Sequence, residues 1–172
     1  MNAAKLTAAR AGDRDARAVL LRELEDPWYR MCLSLLGNAD EARDAAQETA
    51  LRFLKQFAGF RGESQLRTWS LGIALNVVRE MKRTAGRTTL VADAEGIAGE
   101  YHYGGEVSPL DAVEATEARE ALHHTLTALP ERQREAIVLR FFEDLSVEDT
   151  ATLMRCAPGT VKATVHQALR SL

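Results

Sequence analysis

The sequence predicts an all-α protein: two small helical domains joined by a flexible linker, the C-terminal one containing a helix-turn-helix. Three observations lead there. Apolar residues recur at three- and four-residue steps through residues 1–84 and again through 110–172. Between Thr84 and Pro109 the pattern dissolves into TAGRTTLVADAEGIAGEYHYGGEVSP, which is rich in glycine and acidic residues and holds no helical stripe. The last residues space cap, turn and cap as two short helices require. A length of 172 residues allows such a pair of domains. The net charge of −3 excludes a protein that coats nucleic acid through bulk positive charge, so DNA binding must come from local patches or a larger partner. No apolar run is long enough to cross a bilayer, and MNAAKLTAARAGDRDAR lacks the apolar core of a signal peptide.

Taken in order, Leu6 to Leu24 reads as a helix by propensity more than by pattern. Pro27 then opens a second helix with Trp28, Met31, Cys32, Leu35 and Leu36 on its stripe, and Gly37 and Asn38 end it. The third helix, Ala39 to Phe57, has the cleanest pattern. Ala42, Ala45, Ala46, Thr49, Ala50, Phe53, Leu54 and Phe57 share one face, with Glu41, Asp44, Gln47, Glu48, Arg52 and Lys55 opposite. An alanine stripe lets neighbouring helices approach closely, so this helix belongs in the middle of a bundle. Gly59 and Gly62 mark a loop, and Ser64 is placed to cap a fourth helix, Gln65 to Arg83, burying Leu66, Trp69, Ile73, Ala74, Val77 and Met81. Its flank carries Arg67, Thr68, Asn76 and Arg79, followed by Lys82, Arg83 and Arg87. Basic groups beside an aromatic loop suit single-stranded nucleic acid, and they equally serve a helix dipole and solubility.

Beyond the linker a helix restarts near Leu110 and continues through Val113, Leu122 and Leu126. Pro130 suits a first helical position, and Ile137, Val138, Phe141 and Phe142 give the next helix a heavy apolar load. Ser146 reads as the N-cap of Val147 to Met154; Arg155 to Ala157 turn the chain; Pro158 fits the first position of a last helix. There Val161, Val165, Ala168 and Leu172 fall on one face, opposite Lys162, Ala163, His166, Gln167 and Arg170. This describes a helix-turn-helix, although a plain helical hairpin with a solvated face has the same periodicity.

Nothing points to catalysis, a cofactor or a metal. There is no Gly-rich phosphate loop, no HExxH, and no Ser/His/Asp or Cys/His set. His102, His123, His124 and His166 are scattered, and the adjacent His123 and His124 cannot share a helix face as ligands. Cys32 and Cys156 have no partner at ligand spacing, so they read as structural thiols in a reducing cytoplasm.

The segment SVEDTATLMRCAPGTVKATVHQALRSL resembles the DNA-binding end of bacterial sigma factors, in Ala151, in Pro158 to Lys162, and in His166 with Ala168. LuxR-type regulators, stand-alone DNA-binding proteins, share a similar TVK-containing helix. DEARDAAQET (Asp40 to Thr49), FRGES (Phe60 to Ser64), Thr68–Trp69 and IALN (Ile73 to Asn76) decide between them. They follow the order and spacing of the extracytoplasmic-function sigma factors, and LuxR-type regulators have no counterpart.

The resemblance implies a transcription initiation factor that binds core RNA polymerase, with residues 1–84 as sigma region 2, 85–109 as the linker and 110–172 as region 4. Asp44, Gln47 and Glu48, with Arg52 nearby, match the polymerase-binding surface. Phe60, Arg61, Ser64, Arg67, Trp69, Asn76 and Arg79 correspond to the part that captures the melted minus-ten strand. Thr160, Lys162, Ala163, His166, Gln167 and Arg170 would meet the minus-thirty-five duplex. An anti-sigma factor is implied as a further partner, and the acidic linker would suit a basic polymerase channel. The chain departs from the family at Ala50, where a bulky aromatic is frequent. It departs again at Thr164, Gln167 and Leu169, where arginines are common, so fewer phosphate contacts are available. Arg155 stands where a turn glycine is usual, which demands a left-handed backbone of a residue with a Cβ.

Overall fold

The computed structural model describes residues 3–88, 122 and 124–172. The elements formed by these residues are helical. Helix α1 (Ala3–Arg10) ends at Gly12, whose φ of 101° is open to glycine, and Asp13 restarts the chain by accepting from the Ala16 N–H at 2.9 Å. Helix α2 then runs unbroken over Arg14–Leu36, with Pro27 inside it. The expected break at Pro27 is therefore wrong. The stop and cap signals lie at Gly12 and Asp13, while Pro27 costs one intrahelical bond and sits buried beside Trp28 and Met31. Gly37 closes α2 in the left-handed region at φ 85°.

Helix α3 (Ala39–Gln56) is capped by Asn38, which accepts from the Asp40 and Glu41 N–H groups at 2.9 and 3.1 Å, and it relaxes into a 3₁₀ turn at Phe57–Gly59. Helix α4 (Leu66–Thr88) continues past the expected end at Arg83. The alanines of α3 are buried against α2 and α4, around an aromatic cluster in which Phe53 lies 5.3 Å from Trp28, 5.1 Å from Phe57 and 5.7 Å from Trp69. Leu54, expected on that stripe, is 40% exposed. The Trp28 indole donates to Ser70 Oγ at 3.0 Å, giving its buried N–H a partner.

In the C-terminal half a helical stretch at 124–128 leads to α5 (Glu131–Ile137), with Pro130 at the N-cap, one position earlier than expected. The expected helix around Leu110 and Val113 lies outside the described residues, as does the linker from residue 89 on; residues 85–88, expected in the linker, continue α4. Helix α5 passes into a π-turn at Val138–Phe142. The extra residue per turn rotates the stripe: Val138 and Leu139 are buried, whereas Phe141 and Phe142, expected in the core, are 57% and 42% exposed. Helix α6 (Val147–Met154) and helix α7 (Pro158–Ser171) form the helix-turn-helix. Ser146 Oγ caps α6 by accepting from the Asp149 N–H at 2.9 Å, and Val161 and Ala168 anchor α7. Leu172, assigned to that buried face, is exposed.

The two halves share one core. Leu71, Leu75 and Val78 of α4 join the same buried cluster as Ala136, Val138, Leu139 and Met154. The Arg134 guanidinium donates to the carbonyls of Leu126, Thr127 and Leu129, and reaches Leu35 at the end of α2 at 3.0 Å. It thus satisfies orphan helix-end acceptors on both sides of the junction. Burial lowers its pKa from the usual arginine value.

Candidate nucleic-acid interface

Three surfaces contain the predicted contact residues. On α3, Asp44 and Gln47 are exposed, one turn apart on the face away from the alanine stripe. Glu48 and Arg52 are committed internally. Arg52 donates to Glu48 at 2.6 Å within the helix and to Glu80 of α4 at 2.8 Å, so it clamps the two helices together. Those bonds raise the Arg52 pKa, and the bond from Arg52 lowers that of Glu80.

The second surface is the loop before α4 and the outer face of that helix. Arg61 and Ser64 are exposed on the loop. Phe60 is not: it is 4% exposed, with its ring 5.0 Å from the half-buried Trp69. The pair forms a hydrophobic wall in which Trp69 is the partly open ring and Phe60 is buried against it. Asn76 is exposed in a cleft of about 400 Å³, beside Arg79 and Arg83 of α4, Arg52 of α3 and Arg155 of the helix-turn-helix. Arg67 and Arg79 do not face solvent freely. Arg67 donates to the Glu143 carbonyl and to its carboxylate, each at 2.6 Å. Arg79 forms two parallel 2.8 Å bonds to Glu135 and a third, at 3.2 Å, to the carbonyl of Leu153. The Glu135 bonds raise the Arg79 pKa, while burial lowers that of the neighbouring Lys82.

The third surface is α7. Thr160, Lys162, Ala163, His166, Gln167 and Arg170 are all exposed on it, opposite Val161 and Ala168. The turn that aims this helix is held by Arg155 at φ 53°, ψ 52°, as the sequence requires of it. Arg132 and Arg79 donate to the Met154 and Leu153 carbonyls, so the C-terminus of α6 is neutralised from two directions.

Sequence reasoning missed the acceptors, Glu135 and Glu143. Both side chains are nearly inaccessible, 4% and 3% exposed. The available signal was the pair of acidic residues that bracket the apolar run AIVLRFF, Glu135 before it and Glu143 after it. Burial pushes the Glu143 carboxyl up to about 7, against the opposing pull of Arg67 and Arg30. The nearby Cys32 thiol is raised to about 12 by burial and by Glu143, so it stays protonated and unreactive. Cys32 and Cys156 are both free. Among the described residues no His/Cys/Asp/Glu group is arranged to hold a metal ion, and no helix is long and apolar enough to cross a membrane.

Comparison with known proteins adds a consistent picture. Residues 20–88 match the family Sigma-70 region 2, and residues 119–172 match Sigma-70, region 4. The RNA polymerase sigma-H factor of Pseudomonas aeruginosa is 32% identical, over 94% of this chain and 86% of its own length. The ECF RNA polymerase sigma factor SigW of Bacillus subtilis is 28% identical, over 98% of this chain and 92% of its own. Among solved structures, the sigma factor RpoE in complex with the anti-sigma factor NepR from Bartonella quintana aligns with a TM-score of 0.73 at 25% identity. The alignment covers 90% of this chain and 92% of that one.

Proposed function

The chain belongs to the extracytoplasmic-function sigma factors, and from that premise we propose how its surfaces divide the work of initiation. It is an alternative sigma factor that directs RNA polymerase to promoters. Residues 1–84 dock on the polymerase and hold the melted minus-ten strand, 85–109 connect, and 110–172 read the minus-thirty-five duplex. The observation that carries this reading is the exposed face of α7. Six residues able to meet a groove, from Thr160 to Arg170, project from a helix whose opposite side is fixed by Val161 and Ala168. Lys162 and Arg170 hold phosphates, while His166 and Gln167 reach base edges.

Asp44 and Gln47 orient the chain on a basic surface of the polymerase, a task that favours on-rate and register over affinity. Trp69, backed by the buried Phe60, and Asn76 receive an unstacked base, Asn76 through its amide and the Trp69 ring by replacing lost stacking. The chain acts by binding, not by catalysis, and works in the cytoplasm. An anti-sigma factor is a natural further partner, supported by the NepR complex of its structural relative. Run-off transcription with purified core polymerase and genomic fragments tests the reading. Promoter-specific transcripts made without another sigma factor are the expected result. DNA binding without such transcripts would instead identify a stand-alone regulator.

A further inference from the structure

The cleft that contains Asn76 has more positive charge than its assigned role uses. Four guanidiniums line it: Arg52 of α3, Arg79 and Arg83 of α4, and Arg155 at the end of α6. Glu80 is the one carboxylate on the lining, and Arg52 already holds it at 2.8 Å. That bond, and more weakly the charge of Arg83, keeps the Glu80 carboxyl below its ordinary value. Carboxylates fix Arg52 and Arg79 in the wall. Arg83 and Arg155 are exposed, and their guanidiniums form no ion pair or hydrogen bond among the described residues. Arg155 stands there against its backbone. A φ of 53° disfavours any residue with a Cβ, and a glycine would make the same turn without strain. Strain at the wall of a cleft points to a side chain held for use.

We propose that this cleft is a binding site for a compact polyanion of the diphosphate class, gripped by Arg83 and Arg155 and seated on Arg52 and Arg79. Its volume, about 400 Å³, is within the range of small-ligand sites. A cleft lined by one sign of charge focuses its field and concentrates the opposite ion, even on a chain whose net charge is −3. Arginine is the fitting donor, since its planar fork gives parallel N–H bonds to phosphate oxygens. An arginine also has more N–H groups than the wall bonds consume, so Arg52 and Arg79 keep donors to spare. A diphosphate sets its charges side by side, which suits guanidiniums brought to one place from three helices. A nucleic-acid strand instead spreads one charge per phosphate along its length. Neither Arg83 nor Arg155 belongs to the minus-ten assignment, so the site stands apart from it. The inorganic diphosphate ion and the diphosphate of a nucleotide share this chemistry.

The test titrates the full chain by isothermal calorimetry, at matched ionic strength, with pyrophosphate, ADP, orthophosphate and a short single-stranded oligothymidylate. The variants Arg83→Gln and Arg155→Gly accompany it, and neither alters a residue assigned to DNA. Arg155→Gly relieves the backbone, so binding lost there is not lost through unfolding, and melting temperatures check this. The expected result is saturable binding of pyrophosphate or ADP, on the order of tenfold tighter than orthophosphate and weakened about tenfold by either variant. Within that result, tighter binding of ADP than of pyrophosphate supports a nucleotide as the ligand, and the reverse supports the inorganic ion. If neither is bound more tightly than orthophosphate, the proposal is overturned, and binding that both variants retain overturns it equally. Oligothymidylate bound more tightly than either, and lost in the same variants, makes the cleft a groove for a strand and also overturns it. Run-off transcription with core polymerase tests the function separately, so either reading can fail while the other stands.

Discussion

Asp44 and Glu48 lie on the same flank of α3, yet they are not equivalent. Asp44 projects into solvent, whereas Glu48 receives Arg52 at 2.6 Å beside Glu80. Asp44→Lys should therefore weaken binding to core polymerase and leave the melting temperature nearly unchanged, within about 0.5 kcal/mol. Glu48→Lys should weaken binding and also cost roughly 0.5–1 kcal/mol, because it sets a cation against Arg52. Calorimetry beside a core-binding titration distinguishes the two, and equal losses of stability would show that Asp44 is structural as well. The DNA-facing residues separate in the same way. Lys162→Ala should flatten the salt dependence of duplex binding by roughly one unit of slope, as expected for one lost phosphate contact. Gln167→Ala should instead cost on the order of 1–3 kcal/mol at a single base position. Asn76→Ala should impair holding of the melted strand, read by permanganate footprinting on duplex and pre-melted promoters. Normal opening and holding on both would reduce Asn76 to a helix-surface residue.

At the scale of elements, the helix-turn-helix was legible almost to the residue, because each boundary has a local cause. Ser146 caps, Arg155 turns, and Pro158 starts. The first two helices were misdivided because Pro27 is a louder signal than Gly12 followed by Asp13, although a buried proline inside a long helix is tolerable and a left-handed glycine ends one. Phe141 and Phe142 were misplaced for a different reason: a π-turn breaks the 3.6-residue period on which a stripe is read. The partners of Arg67 and Arg79 were not legible, since no periodicity within one half encodes a contact with the other. Arg155 yields a prediction at this scale. It is a non-glycine residue at φ 53°, a conformation that costs on the order of 1 kcal/mol for a side chain with a Cβ. Arg155→Gly should recover about that amount in chemical denaturation. A loss of stability instead would mean that the Arg155 side chain contributes more than its backbone strains.

For the whole molecule, the junction between the halves ties stability to pH. Glu143 is the titrating group, faced by Arg67 from α4 and by Arg30 and the neutral Cys32 from α2. Burial raises its carboxyl to about 7 in the folded chain, and unfolding returns it towards the ordinary value near 4.5. The folded chain therefore binds the proton more tightly. The stability this adds is complete below the ordinary carboxylate value and is lost as pH rises through about 7. Between pH 8 and pH 6 one such group multiplies the folded-to-unfolded ratio by about ten. Chemical denaturation of the wild-type chain should show that gain over the interval. Glu143→Gln cannot titrate, so its profile should lack the gain. The same pH dependence in the variant would assign the effect to another group. A wild-type chain insensitive to pH would mean that Arg67 and Arg30 keep the carboxylate ionised, and the junction would then be held by the ion pairs at every pH.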